Sequence, residues 1–158
     1  MIFDLASMNG GRRYLYDRGT LYSPFTRYSS TYGDYFTVTN KDGCLELYYP
    51  IINNWFDYYT RERVDLTGFS KAYCEVTFRS EVLTNAMEFY VAPNPGYYYT
   101  NDQTVPVYSS VIINKSSSTI TYEIDIRALK GYYYIGILNF PRAVSPLESV
   151  KITKIYLE

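Results

Sequence analysis

Histidine is absent from all 158 residues, and cysteine occurs only twice. The first absence removes the commonest general base and metal ligand, and with it Ser-His-Asp, Cys-His and histidine-based zinc sites. No apolar run approaches the roughly 18 residues that suggest a membrane span, so membrane insertion is not expected. The opening, MIFDLASMNGGRRYLYDRG, has no basic stretch followed by an apolar one. No secretory signal is read there, and synthesis in a cytoplasm is expected. Lysine and arginine form no stripe. Net charge is −1, and the densest basic spots, Arg12-Arg13 and Arg61-Glu62-Arg63, lie close to acidic residues. Proteins that track phosphate concentrate positive charge on one face, so nucleic acid is not an expected partner.

Catalytic groupings are equally sparse. Hydrolysis of a glycosidic bond needs two carboxylates across a cleft, and Glu75 and Glu88 lie mid-strand where they could supply such a pair. Carboxylates on the polar face of a strand are more simply solvated, and a small sandwich offers little depth for a cleft, so no enzyme is expected. No cofactor is expected either. Calcium needs only oxygen ligands, and a structural calcium is left open, although no EF-hand-like run of acids exists. Asp65 and Asp125 each follow an apolar residue and precede a turn, and are read as caps on the turn's backbone N–H groups. The two cysteines have opposite parity. Cys74 shares a face with Val76 and Phe78, whereas Cys44 lies opposite Leu45 and Leu47, so two free thiols are predicted.

What is present is tyrosine, 21 residues of 158, in a chain 47% hydrophobic and 20% charged. Tyrosine suits both pleated strands and recognition surfaces, so its positions must be sorted. Apolar residues alternate with period two, and no amphipathic helix of ten residues emerges. YFTVTNKDGCLELYY reads as a hairpin turning at Asn40-Lys41-Asp42-Gly43. KAYCEVTF puts Ala72, Cys74, Val76 and Phe78 on one face, AMEFYVA does the same for Met87, Phe89 and Val91, and Ile120, Tyr122, Ile124 and Ile126 share another. In VKITKIYL the apolar phase slips between Ile152 and Ile155, which predicts a bulge. Short strands separated by turn signals, with no linker or low-complexity tract, predict one all-β domain over residues 1–158. Its fold class is an antiparallel β-sandwich with little or no helix.

GYYY occurs twice. The copy at Gly131–Tyr134 runs into Ile135-Gly136-Ile137-Leu138 and reads as a strand, with Gly136 where something packs closely. The copy at Gly96–Tyr99 is bracketed by Pro93, Pro95 and Pro106 and reads as a long loop. Its Tyr97, Tyr98 and Tyr99, with Asn101, have three destinations: a ligand, a subunit, or one end of the sandwich. A second cluster, IINNWFDYYTRER, holds Asn53, Asn54, Trp55, Asp57, Tyr58 and Tyr59. Flat rings beside amide and carboxylate groups suit a sugar, whose ring has apolar C–H faces and hydroxyl edges. Trp55 and Phe56 could equally plug the sandwich. These ten residues form the candidate binding set, and no metal ligand is among them.

RVDLTGFSKAYCEVTF, ITYEIDIRALKGYYYIGI and the ending SVKITKIYLE resemble galactose-binding-like jelly rolls. Carbohydrate-binding modules of that fold are similar in this pattern, as are sandwich domains of bacteriophage tail and capsid-accessory proteins. The resemblance covers roughly residues 61–80 and 119–158, a pattern of strands and turns without a ligand-binding motif. It implies a non-catalytic binding or assembly module. The leading expectation is a phage or prophage virion structural protein (a decoration, fibre-associated or tail component) made in the host cytoplasm and placed on the virion. Its partners would then be other virion proteins or further copies of itself, with tyrosine and tryptophan as anchors. The alternative is a carbohydrate-binding, lectin-like module that stacks sugars on its Trp and Tyr patches.

Overall fold

Alternation of apolar and polar side chains draws the chain into strands, and no helix occurs among the described residues. The computed structural model describes residues 8–29, 37–49, 56–80, 86–95, 109–140 and 148–158. Their strands are β1 (Met8–Asn9), β2 (Arg12–Asp17), β3 (Thr20–Leu21), β4 (Phe25–Ser29), β5 (Thr37–Lys41), β6 (Cys44–Tyr49) and β7 (Phe56–Thr60). There follow β8 (Val64–Asp65), β9 (Lys71–Arg79), β10 (Ala86–Ala92), β11 (Ser109–Ile112), β12 (Ile120–Asp125), β13 (Tyr132–Phe140) and β14 (Glu148–Leu157).

Two antiparallel sheets result, and together they form the β-sandwich that the sequence predicts. The eight-stranded sheet is organised by β14. One edge of β14 pairs with β9, which pairs in turn with β12. The other edge takes β6 along Glu148–Ile152 and β2 along Lys154–Leu157. The six-stranded sheet has the order β11-β10-β13-β7-β4, with β8 continuing the line of β7 against the start of β13. Between the sheets lie Leu15, Leu45, Leu47, Val76, Ile152 and Ile155 from the first, and Phe56, Met87, Phe89, Ile135 and Ile137 from the second. Full burial of each such side chain contributes about 1.5–3 kcal/mol relative to exposure.

Local chemistry sets the turns. Asp42 and Gly43 both have positive φ, 54° and 74°, the requirement of a two-residue type I′ turn, and Lys41 pairs Cys44 across it. Asp65 accepts the N–H of Thr67 and Asp125 that of Arg127, each at 3.0 Å. Both are the predicted turn-capping aspartates. The slip in the last strand is also present, with register shifts between Ile152 and Lys154 and between Ile155 and Tyr156. Ile152 and Ile155 are both buried as a result.

One expectation fails. Phe78 does not share the inner face of Ala72, Cys74 and Val76. The register with β14 shifts between Val76 and Phe78, so Phe78 turns outward, 37% exposed, with its ring under the Lys151 ammonium. Arg79 takes the inward position and donates to the Ile113 carbonyl. A buried guanidinium is tolerated only with such acceptors. Both cysteines are free, Cys74 buried and Cys44 half-buried.

Candidate functional site on the outer face of the six-stranded sheet

Of the ten candidate residues, Asn53, Asn54, Trp55, Tyr97, Tyr98, Tyr99 and Asn101 lie outside the described residues. The other three belong to β7, and strand alternation divides them. Tyr58 points inward, is buried, and stacks on Phe25 with ring centroids 5.0 Å apart and planes at 14°. Burial pushes its phenol pKa up to about 12. Asp57 and Tyr59 face outward. Asp57 is nonetheless buried, and accepts the Tyr90 hydroxyl at 2.8 and 3.1 Å on its two oxygens. Tyr59 is half-buried and meets Tyr134 edge to face, centroids 5.8 Å apart.

Register shows what shares this face. One row across the sheet reads Tyr28, Asp57, Leu138, Glu88, Ile112, and the next reads Thr26, Tyr59, Gly136, Tyr90, Ser110. Gly136 makes the second row possible. A Cβ there would lie 2.7 Å from the Tyr59 Cβ, 2.7 Å from the Tyr90 hydroxyl oxygen and 2.8 Å from the Tyr58 carbonyl oxygen. The missing side chain is the channel through which Tyr90, on β10, crosses β13 to reach Asp57 on β7. The centre of the face is therefore a closed layer of Asp57, Tyr90, Ala92 and Leu138, all buried. Its accessible parts include Tyr28 (39% exposed), Ile112 (51% exposed), the exposed Ser110 and the half-buried Thr26, Tyr59, Tyr134 and Glu88.

β7 and β10 both run antiparallel to β13 and hence parallel to each other. The chain enters β7 and leaves β10 at opposite ends of this sheet. The second GYYY is a strand, as predicted, but only Tyr133 packs against the core. Tyr134 contributes to the outer face, and Tyr132 is 50% exposed.

Sequence reasoning missed Tyr28, Glu88, Tyr90 and Tyr134 as members of one surface. The signal was available in parity: each has the opposite phase to a core residue beside it in its own strand. The order of strands, which brings them together, was not. The opposite outer face, that of the eight-stranded sheet, also carries a tyrosine row. Tyr156 pairs Tyr73 on one side and Tyr14 on the other, with centroids 4.8 and 5.4 Å apart and the Arg12 guanidinium 5.0 Å from the Tyr156 ring. Those rings mostly cover one another. Glu75 lies on that face and Glu88 on the other, so the two cannot flank one substrate bond. Among the described residues no cluster of three or more acidic or cysteine side chains is placed to hold a metal ion.

Solved structures share this fold. One is a carbohydrate-binding module of the β-sandwich superfamily, whose modules are characterised by promiscuous specificity. It has a TM-score of 0.63 and 12% identity over 92% of this chain, which spans 62% of the length of that one. The family 11 carbohydrate-binding module of a cellulosomal cellulase of Clostridium thermocellum has a TM-score of 0.57 and 13% identity over 95% of both chains. The glycoside hydrolase domain structure of Endo-D from Streptococcus pneumoniae R6 has a TM-score of 0.58 and 11% identity over 85% of this chain, but only 21% of that one. No protein-family model and no curated protein matches the sequence. At these identities the likeness shows the fold alone, a β-sandwich that these carbohydrate-binding modules share.

Proposed function

We propose that the chain is a non-catalytic carbohydrate-binding module whose ligand lies on the outer face of the six-stranded sheet. The observation that carries this reading is the outer face itself, where Tyr28, Tyr59 and Tyr134 and, on β10 across the sheet, Glu88 surround a floor of buried side chains. Tyrosine rings stack on the apolar C–H faces of a sugar, and a carboxylate accepts its hydroxyls. Asp57 and Tyr90 act as positioning residues, since their mutual hydrogen bond fixes the floor on which Tyr59 rests. The sequence candidates Asn53, Asn54, Trp55, Tyr97, Tyr98, Tyr99 and Asn101 supply further contacts on this reading. The structural likeness to carbohydrate-binding modules supports it.

The order of the two sequence-based expectations is thereby reversed. The virion-assembly reading rests on the sequence resemblance, and none of the structural relatives named above is a virion protein. The test is a calorimetric titration of the full chain with gluco-, manno-, xylo- and galacto-oligosaccharides, with Trp55 emission recorded in parallel. Saturable binding that weakens about five- to tenfold in Tyr28→Ala, the loss of one ring contact of about 1 kcal/mol or slightly more, is expected. A chain that binds none of these glycans but forms defined oligomers returns assembly to first place.

A further inference from the structure

A separate cavity of about 350 Å³ lies at one corner of the sandwich, where both sheets contribute. Arg13 reaches it from β2, while Thr60, Asp65 and Tyr132 reach it from β7, β8 and β13, and Glu62 and Arg63 come from the turn between β7 and β8. This volume is at the small end of the roughly 300–1,000 Å³ range of ligand pockets, which suits one or two sugar rings better than a polymer segment.

Backbone bonds hold its walls. Arg61 N–H donates to the Pro24 carbonyl at 2.8 Å, tying the end of β7 to the start of β4. Leu66 N–H donates to the Gly131 carbonyl at 2.9 Å, which fixes the residue immediately before Tyr132. Thr60 is buried, and its hydroxyl oxygen accepts the Ile135 N–H at 3.2 Å. The charges balance, two guanidinium groups against two carboxylates. Hydrogen bonds from Thr67 hold the Asp65 carboxyl below its ordinary pKa, with the Arg13 charge adding to them. Burial draws the Arg13 guanidinium down while Asp65 pulls the other way. The lining side chains carry no net excess of either sign. Guanidinium donors and carboxylate acceptors both line the pocket, which matches hydroxyls that each donate and accept. The half-exposed Tyr132 ring supplies an apolar wall.

We infer that this corner pocket is a second binding site, which takes a single neutral pyranose residue or a glycan terminus. Through Tyr132, which shares the outer side of β13 with Tyr134, it adjoins one end of the sheet face, but it does not rest on the reading of that face. Two such sites on one small module would let a branched or chain-end glycan be held at two points.

The test is amide NMR of the full chain, titrated with the methyl glycosides of glucose, galactose and mannose and, separately, with methyl glucuronide. A neutral glycoside is expected to shift the Glu62, Arg63, Gly131 and Tyr132 amides saturably. Tyr132→Ala should weaken that binding about five- to tenfold. Arg63→Ala, at an exposed position, should weaken it as well, while Tyr28→Ala should leave it unchanged. Response to the glucuronide alone would overturn the neutral class. Shifts confined to the outer sheet face, or no shifts with any sugar, would overturn the site. Pocket shifts that persist when Tyr28→Ala has weakened oligosaccharide binding would show that the two sites stand or fall separately.

Discussion

Tyr90 donates its phenol to Asp57 across an intervening strand, 2.8 Å from oxygen to oxygen, with both side chains buried. The two residues sit on β10 and β7, and β13 runs between them. Only the absence of a side chain at Gly136 lets the ring lie across that strand. The floor of the candidate sugar face thus depends on a glycine, a phenol and a carboxylate acting together.

Gly136→Ala is expected to destabilise the fold. The new methyl would come within 2.7 Å of the Tyr59 Cβ and 2.8 Å of the Tyr58 carbonyl oxygen, and neither can swing aside as the tip of a flexible side chain can. Overpacking of this kind costs about 1–3 kcal/mol. The measurement is the urea midpoint of unfolding. An unchanged midpoint would mean that the strands separate more easily than the register implies.

Tyr90→Phe keeps the ring in its channel and removes only the hydroxyl. Asp57 then loses one buried donor, at a cost of about 1–3 kcal/mol. A double-mutant cycle with Asp57→Asn isolates the pair, because the coupling energy counts only their interaction. On the proposed reading, oligosaccharide affinity should fall in Tyr90→Phe with little change in which sugars bind, since the phenol there positions the floor rather than touching ligand. A wholesale change in sugar preference would make Tyr90 a contact residue instead.

Much of this was legible in sequence because it is local. The parity of Leu45 with Leu47 and of Cys74 with Val76 identified inner faces correctly. The Asp-Gly pair marked its turn, and Gly136 announced a close approach. The Asp65 and Asp125 caps and the slip between Ile152 and Ile155 could also be read, because each depends on neighbours within a few residues. Phe78 could not. Whether it or Arg79 faces inward is decided by the register shift against β14, some seventy residues away in the chain. The same holds for Tyr90 and Asp57, separated by 33 residues and joined only once β13 is placed between their strands. Period-two patterning tells which side of a strand a residue takes. It does not tell which strand lies alongside, and the candidate surface is a property of that order.

The acid side of the stability profile has a specific source. Asp125 is held down to about 2, from an ordinary 3.8, first by the Arg127 side chain and then by the Arg127 backbone N–H. A carboxyl depressed in the folded state stabilises it fully above the unfolded value, and the contribution is lost as pH falls through the folded one. Stability should therefore drop between about pH 4 and about pH 2. Arg127→Ala removes the largest cause, so the Asp125 carboxyl should titrate closer to 3.8 and the acid slope should flatten. Carboxyl NMR titration reads the first effect and urea unfolding at several pH values the second. A carboxyl that still titrates near 2 in the variant would place the cause in the turn's N–H alone.

The two thiols should differ sharply in reactivity. Burial pushes the Cys74 thiol far above its ordinary pKa, so it offers almost no thiolate, and reagents act on thiolate. Cys44 is half-buried at the hairpin turn, with Leu45 and Leu47 pointing away from it into the core. An aromatic disulfide reagent is therefore expected to label one cysteine per chain in the folded protein, and both in urea. Peptide mapping should assign the first to Cys44, and Cys74 should react at the rate of global unfolding. Rapid labelling of Cys74 without urea would show that β9 and β14 part locally, and that the inner seam of the eight-stranded sheet is less stable than its packing indicates.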